Sequence, residues 1–114
     1  MKLTFLGTGD FFTNPLKSNN FNSSILIEIN DKKLLIDVGF YLLPMLTANN
    51  LKIEDISDVY ITHCHGDHIT GLEVLAYYNK FKLNRKINLY LSCIIKQDLF
   101  DYLNSLKINP FDFF

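Results

Sequence analysis

The chain reads as an α/β layered fold, and three observations predict it. Its 114 residues are 48% hydrophobic and 20% charged, enough for one core and too few for two domains. Short β-branched runs bounded by turn residues come first. Strands then alternate with segments of helical apolar spacing, the order of an α/β layer.

The elements follow in order. Lys2 to Leu6 alternates partly and forms a first strand, ended by Gly7-Thr8-Gly9-Asp10. Phe11 to Asn22, with Pro15 and several Asn, reads as a loop. Ser23–Ile29 and Lys33–Val38 are strands joined by Asn30-Asp31-Lys32, a β-hairpin that Gly39 closes. Phe40 to Asn49 is a short helix, with Pro44 near its first turn. Asp58–Thr62 is a fourth strand. Asp67 to Phe81 is a helix with Asp67 as N-cap and Ile69, Leu72, Leu75 and Ala76 on one face. Ile87–Leu91 is a fifth strand, and Ile94–Leu106 a second amphipathic helix with Leu99, Tyr102 and Leu103 inward. The tail carries Phe111, Phe113 and Phe114, set either outward or folded back on the core.

Charge excludes several function classes. A net charge of −1 provides no global field for nucleic acid or an acidic membrane. The run Lys80-Phe81-Lys82-Leu83-Asn84-Arg85-Lys86 reads first as a solvated helix end, and otherwise as a contact for a nucleic-acid backbone. Cys64 and Cys93 make no disulfide framework, which predicts a reducing, cytoplasmic setting. No apolar run approaches ~20 residues, so no membrane span is expected. Asn22-Ser23-Ser24 fits a glycosylation pattern, with no secretory segment to make it usable.

The chemistry concentrates in Thr62-His63-Cys64-His65-Gly66-Asp67-His68, which holds all 3 histidines of the chain. It lies where the fourth strand ends and the next helix begins, a place where α/β folds put sites. Neutral imidazole nitrogens and a carboxylate suit Zn²⁺ and similar divalent ions. His63 and His65 point the same way in an extended segment, and a turn at Gly66 returns Asp67 and His68 beside them. Alternation sends Cys64 to the opposite face, as a small apolar residue packed inside.

H-x-H-x-D-H, here His63 to His68, is the signature of the metallo-β-lactamase fold superfamily, which this chain resembles. Leu34-Leu35-Ile36-Asp37-Val38-Gly39 looks like that family's strand ending in Asp-x-Gly. Phe5-Leu6-Gly7-Thr8-Gly9 is similar to the opening of its ribonuclease Z and phosphodiesterase members. The likeness covers Met1 to about Leu91 and implies an αββα sandwich, of which this chain supplies half: one mixed sheet with its covering helices.

The resemblance also implies roles. His63 and His65 would bind a first metal, and Asp67 and His68 a second; Zn²⁺ is expected, with Mn²⁺ or Fe²⁺ as alternatives. Two such metals activate water and clamp an in-line phosphoryl displacement, with Asp67 as proton acceptor. Asp37 would orient the histidine loop. Gly7 and Gly9 would bring backbone N–H groups near the site or simply turn the chain. In the family, further His and Asp ligands come from the second half of the domain, and here no histidine follows His68.

Residues 1–114 are therefore expected to be the N-terminal portion of a single domain. The expected function is metal-dependent phosphodiester hydrolysis of ribonuclease Z type on RNA or a small phosphodiester, weak in this chain alone. The alternatives are an inactive truncated remnant or metal-binding module, and a thioester or lactam hydrolase. Strands Ile25–Ile29 and Leu34–Ile36 are expected to leave an apolar sheet face for a homodimer or another partner.

Overall fold

The computed structural model describes residues 1–114. Five strands form one mixed sheet in the order β1-β2-β3-β4-β5. They are β1 (Lys2–Gly7), β2 (Ser24–Ile29), β3 (Lys32–Ile36), β4 (Asp58–Ile61) and β5 (Asn88–Leu91). The pairs β1/β2 and β2/β3 are antiparallel, while β3/β4 and β4/β5 are parallel. The β2–β3 hairpin turns at Asn30 and Asp31, whose φ values of 47° and 66° suit a two-residue turn that matches strand twist. This is the α/β half-sandwich anticipated above.

The parallel connections carry the helices. Between β3 and β4 lie α2 (Leu42–Ala48) and a single 3₁₀ turn (Ile53–Asp55). Between β4 and β5 lie α3 (Gly66–Ile69) and α4 (Gly71–Phe81), and α5 (Lys96–Ser105) and α6 (Pro110–Phe113) follow β5. Leu26, Leu35, Val59 and Ile61 on one sheet face pack into the core with Leu46, Leu72, Leu75, Leu99 and Leu103. Each fully buried side chain of this size contributes roughly 1.5–3 kcal/mol relative to exposure.

Register assigns the other face. Phe5, Ile25, Ile36, Tyr60 and Tyr90 stand in one cross-strand row. No helix covers it: Leu3 is 54%, Phe5 66%, Ile29 47% and Tyr90 49% exposed. The apolar sheet face read from the strand pattern is therefore present. No helix is long and apolar enough to cross a membrane.

Several local expectations are corrected. The Phe11–Asn22 loop holds a helical turn, α1 (Pro15–Ser18), because Asn14 accepts from the Leu16 N–H at 3.0 Å and Pro15 pre-sets the first turn. The third strand stops at Ile36 rather than Val38, since Asp37 turns left-handed at φ 61°. Asp67 is not an N-cap. His65 occupies that position, and Asp67 sits buried within the first turn. The expected 67–81 helix is broken at Thr70, which lets the Gly71 N–H donate to the Val38 carbonyl at 2.9 Å. The helix expected from Ile94 begins at Lys96, leaving Ile94 86% exposed.

The tail folds back in part. Phe113 is buried, its ring 5.7 Å from Tyr77, while Phe111 stays exposed. The basic run is not simply solvated: Arg85 ties α4 to the 3₁₀ turn region, and Lys80 and Lys86 meet the tail. Arg85 donates to the carbonyls of Glu54 and Ile56 at 2.9 and 3.0 Å and to Asn79 at 2.6 Å. Lys80 lies 4.5 Å over the Phe113 ring, and Lys86 donates to the Phe111 carbonyl.

Candidate metal centre

The site forms where the end of β3 meets the segment after β4. Asp37 leaves β3 with its left-handed φ of 61°, a conformation a non-glycine residue holds only where its surroundings fix it. Those surroundings are specific. Its N–H donates to the Tyr60 carbonyl at 2.9 Å, and its carbonyl accepts from the Ser24 hydroxyl at 2.8 Å. Two residues later the chain passes so close to the histidine loop that a Cβ on Gly39 would stand 2.3 Å from the Asp67 carbonyl. Glycine is required there by space. The Val38 N–H then donates to the His68 carbonyl at 2.8 Å, which fastens the two segments together.

Asp37 organises the side chains in the same way. Oδ1 accepts from the Thr62 N–H at 2.8 Å, and Oδ2 accepts from the Thr62 hydroxyl at 2.7 Å. Oδ2 also lies 2.8 Å from Nδ1 of His68. An ionised carboxylate only accepts, so His68 carries a proton on Nδ1, and in the neutral ring the lone pair lies on Nε2. The Thr62 hydroxyl has given its single proton to Asp37. Its oxygen therefore accepts from Nδ1 of His63 at 2.9 Å, which frees the Nε2 lone pair of His63 too. One carboxylate and one hydroxyl thus set the tautomers of two histidines, as metal-ligating histidines require.

The remaining ligand-type groups converge on the same place. The His63 ring centroid lies 4.0 Å from that of His68 and 4.7 Å from that of His65. The buried Asp67 places Oδ2 3.3 Å from His68 Nε2. In the neutral ring the Nε2 lone pair faces a carboxylate oxygen, an opposition that a proton on Nε2 or a bound cation relieves. This donor set therefore fits a divalent ion. Asp37, His63 and His68 each set a ligand-type atom within 4.8 Å of the other two. That group contains Asp37 and leaves out His65 and Asp67, whereas the sequence motif singled out His63, His65, Asp67 and His68. The three donors on Asp37 make it the member that holds the others.

Of the two glycines, Gly7 lines a recess shared with Asp37 and Thr62, while Gly9 does not. A Cβ on Gly7 would stand 2.2 Å from the Asn22 carbonyl, and one on Gly9 2.7 Å from that of Phe21. The Gly9 N–H donates to Phe21 at 2.8 Å, so it is committed to the chain. Both glycines allow close approach of the 21–22 backbone. Cys64 is half-buried against the core, and burial with the nearby Asp98 charge raises its pKa. Two contributors were not legible as such. Thr62 stood beside the motif with no signal of its role. Asn22 is only 3% exposed, and its amide joins Asp10 and Phe40, so the glycosylation pattern there marks a structural side chain.

Comparisons with known proteins bear on what such a site does. The family model described as "Anti-Pycsar protein Apyc1" matches residues 1–108. A relative named Anti-Pycsar protein Apyc1 from Bacillus phage 010DV004 is 40% identical over 109 residues, 94% of this chain and 40% of the relative. Among solved structures, human tRNase Z, short form, superposes with a TM-score of 0.71 at 26% identity, over 94% of this chain and 41% of that one. The metallo-β-lactamase fold protein YhfI from Bacillus subtilis gives 0.70 at 25% identity, over 89% and 40%. The fold is therefore that of the metallo-β-lactamase superfamily, and the chain spans about two fifths of the length of these proteins.

The functional expectation is corrected. The sequence relatives carry an anti-Pycsar name and not that of an RNA-processing phosphodiester hydrolase. That overturns the ribonuclease Z-type function, together with the remnant and the thioester or lactam alternatives. The expectations of hydrolysis and of zinc fall with it, since the relatives' name supports neither. The physical reason is that one fold hosts many activities. A cluster of His and Asp donors does not by itself select the molecule acted upon.

Proposed function

Since this chain belongs to the Anti-Pycsar protein Apyc1 family, we propose that it acts against Pycsar by taking a cyclic nucleotide at the histidine cluster. One observation carries the reading: His63, His65, His68 and Asp67 converge beside Asp37 in a chain whose residues 1–108 match that family. His63 and His68 would hold a divalent metal ion through Nε2, with His65 and Asp67 beside them and Asp37 fixing the rings. Such an ion supplies positive charge for phosphate oxygens. Arg85 and Lys86 spend their side chains on backbone carbonyls, which leaves the basic run fewer free cations for a polynucleotide backbone.

The test is calorimetric titration of 3′,5′-cyclic mononucleotides, purine and pyrimidine, into the chelator-stripped chain with and without Zn²⁺, Mn²⁺ or Fe²⁺. Phosphorus NMR then reports whether the bound nucleotide is altered. Metal-dependent binding is expected. Failure of every cyclic nucleotide to bind under all metal conditions overturns the proposal.

Residues 1–114 are, on the same reading, the N-terminal portion of one domain whose other portion lays a second sheet on the uncovered face. The support is the apolar row Phe5, Ile25, Ile36, Tyr60 and Tyr90, together with the two-fifths coverage of the relatives. Stacked sheets bury such rows in a layer ~10 Å thick. Mixing this chain with the remaining portion of the phage relative should give a one-to-one complex in sedimentation. A homodimer that ignores the added portion would refute this.

A further inference from the structure

Beside the histidine cluster stands an exposed group of aromatic rings that the metal site does not use. Phe11 is 51%, Phe12 89% and Phe40 44% exposed. Phe11 packs edge-on against Phe12 and Phe40, with centroids 5.5 and 5.3 Å apart. Both Phe11 and Phe40 reach Gly66, where a Cβ would stand 3.3 Å from Phe40 Cζ and 3.5 Å from Phe11 Cε2. Gly66 lies between His65 and Asp67 in the chain. The rings are thus continuous with the cluster.

Hydrogen bonds tie together the loops that carry these rings. Phe11 and Phe40 belong to loops far apart in sequence, and one buried side chain joins them. Asn22 donates through Nδ2 to the Asp10 carbonyl at 2.8 Å and accepts through Oδ1 from the Phe40 N–H at 3.0 Å. The Asp10 carboxylate accepts from the Phe12 N–H at 2.9 Å, which fixes the turn that carries the first two rings. Three large rings facing solvent oppose the hydrophobic effect. Tying their loops together as well limits their collapse onto the surface. Exposed, adjoining rings on tied loops are what a flat heterocycle needs for stacking, since little entropy is lost when it binds.

We propose that Phe11 and Phe40 form an aromatic wall for the nucleobase of a nucleotide whose phosphate sits at the histidine cluster. One ring offers its face for stacking and the other its edge, since their planes lie 88° apart. This rests on the cyclic-nucleotide reading above and adds the residues that distinguish a nucleotide from bare phosphate. Every base has a π-face, so the wall favours nucleotides as a class over phosphate and not one base over another.

The experiment compares the whole chain with its Phe11→Leu and Phe40→Leu variants, each loaded with Mn²⁺. Leucine retains apolar bulk and removes the ring face. Affinities are measured for a 3′,5′-cyclic mononucleotide and for inorganic phosphate. Thermal melts confirm that both variants are folded. The ratio of nucleotide to phosphate affinity should fall about tenfold in each variant. An unchanged ratio in folded variants overturns the aromatic wall while leaving the cyclic-nucleotide reading intact. A wild-type chain that binds the nucleotide no better than phosphate also overturns the aromatic wall alone, whereas one that binds no cyclic nucleotide overturns both.

Discussion

Asp37→Asn isolates the tautomer argument, because it preserves shape and removes only the acceptor-only carboxylate. In the wild-type chain Asp37 Oδ2 accepts from both the Thr62 hydroxyl at 2.7 Å and His68 Nδ1 at 2.8 Å. Asparagine keeps one acceptor for the Thr62 N–H and turns an NH₂ group toward His68. That group donates to Nδ1 and drives the imidazole proton to Nε2, the atom that faces Asp67 at 3.3 Å. A protonated Nε2 cannot ligate. Loss of such an orienting partner costs about 10–100-fold in metal affinity, or roughly 1.4–2.7 kcal/mol. Competition of the variant against a chelating dye for Zn²⁺ measures this. Nitrogen NMR of the metal-free chain should show the Nδ1–H tautomer of His68 in the wild type and Nε2–H in the variant. Wild-type affinity in a folded Asp37→Asn chain would refute the reasoning. A loss as large as that of His63→Ala would show instead that Asp37 is itself a ligand.

Gly39→Ala should destabilise the chain by more than ~2 kcal/mol in denaturant titration, since its Cβ would meet the Asp67 carbonyl at 2.3 Å and Asn22 Oδ1 at 2.6 Å. At Asp58, burial raises the pKa, but hydrogen bonds from Ser57, Asn88 and Tyr90 outweigh it and hold the carboxylate below its ordinary 3.8. A depressed carboxylate stabilises above its unfolded pKa, and that contribution disappears as pH falls through the folded value. Asp58→Asn should therefore cost about 0.5 kcal/mol at neutral pH after solvent screening, and its melting curve should converge with the wild type in acid. Maleimide should label the exposed Cys93 well before Cys64, whose thiol is pushed up by burial and the Asp98 charge; equal rates by mass spectrometry would contradict this.

Much of this architecture was legible in the residues. Period-two alternation in Ser24–Ile29 fixed which side chains face inward, because each peptide step reverses the side chain. The same alternation exposed a second apolar face. His63 and His65 share a side for that reason, and their centroids lie 4.7 Å apart. Element boundaries were less legible where tertiary bonds overrode local preference. Asp67 has the chemistry of an N-cap, yet the closeness of Gly39 to its carbonyl draws it into a buried first turn. The basic run looked like a solvated end because sequence does not place the Phe113 ring beneath Lys80.

By itself, then, the sequence determined the fold class, the side-chain alternation and the gathering of three histidines with a carboxylate in one short segment. Those are local facts, set by covalent spacing along the chain. Only the tertiary structure decided which imidazole nitrogens are free, because that depends on Asp37 and Thr62 meeting across 25 positions of sequence. It also decided that Asn22 joins two aromatic loops, a bond between groups 18 residues apart that no local pattern encodes.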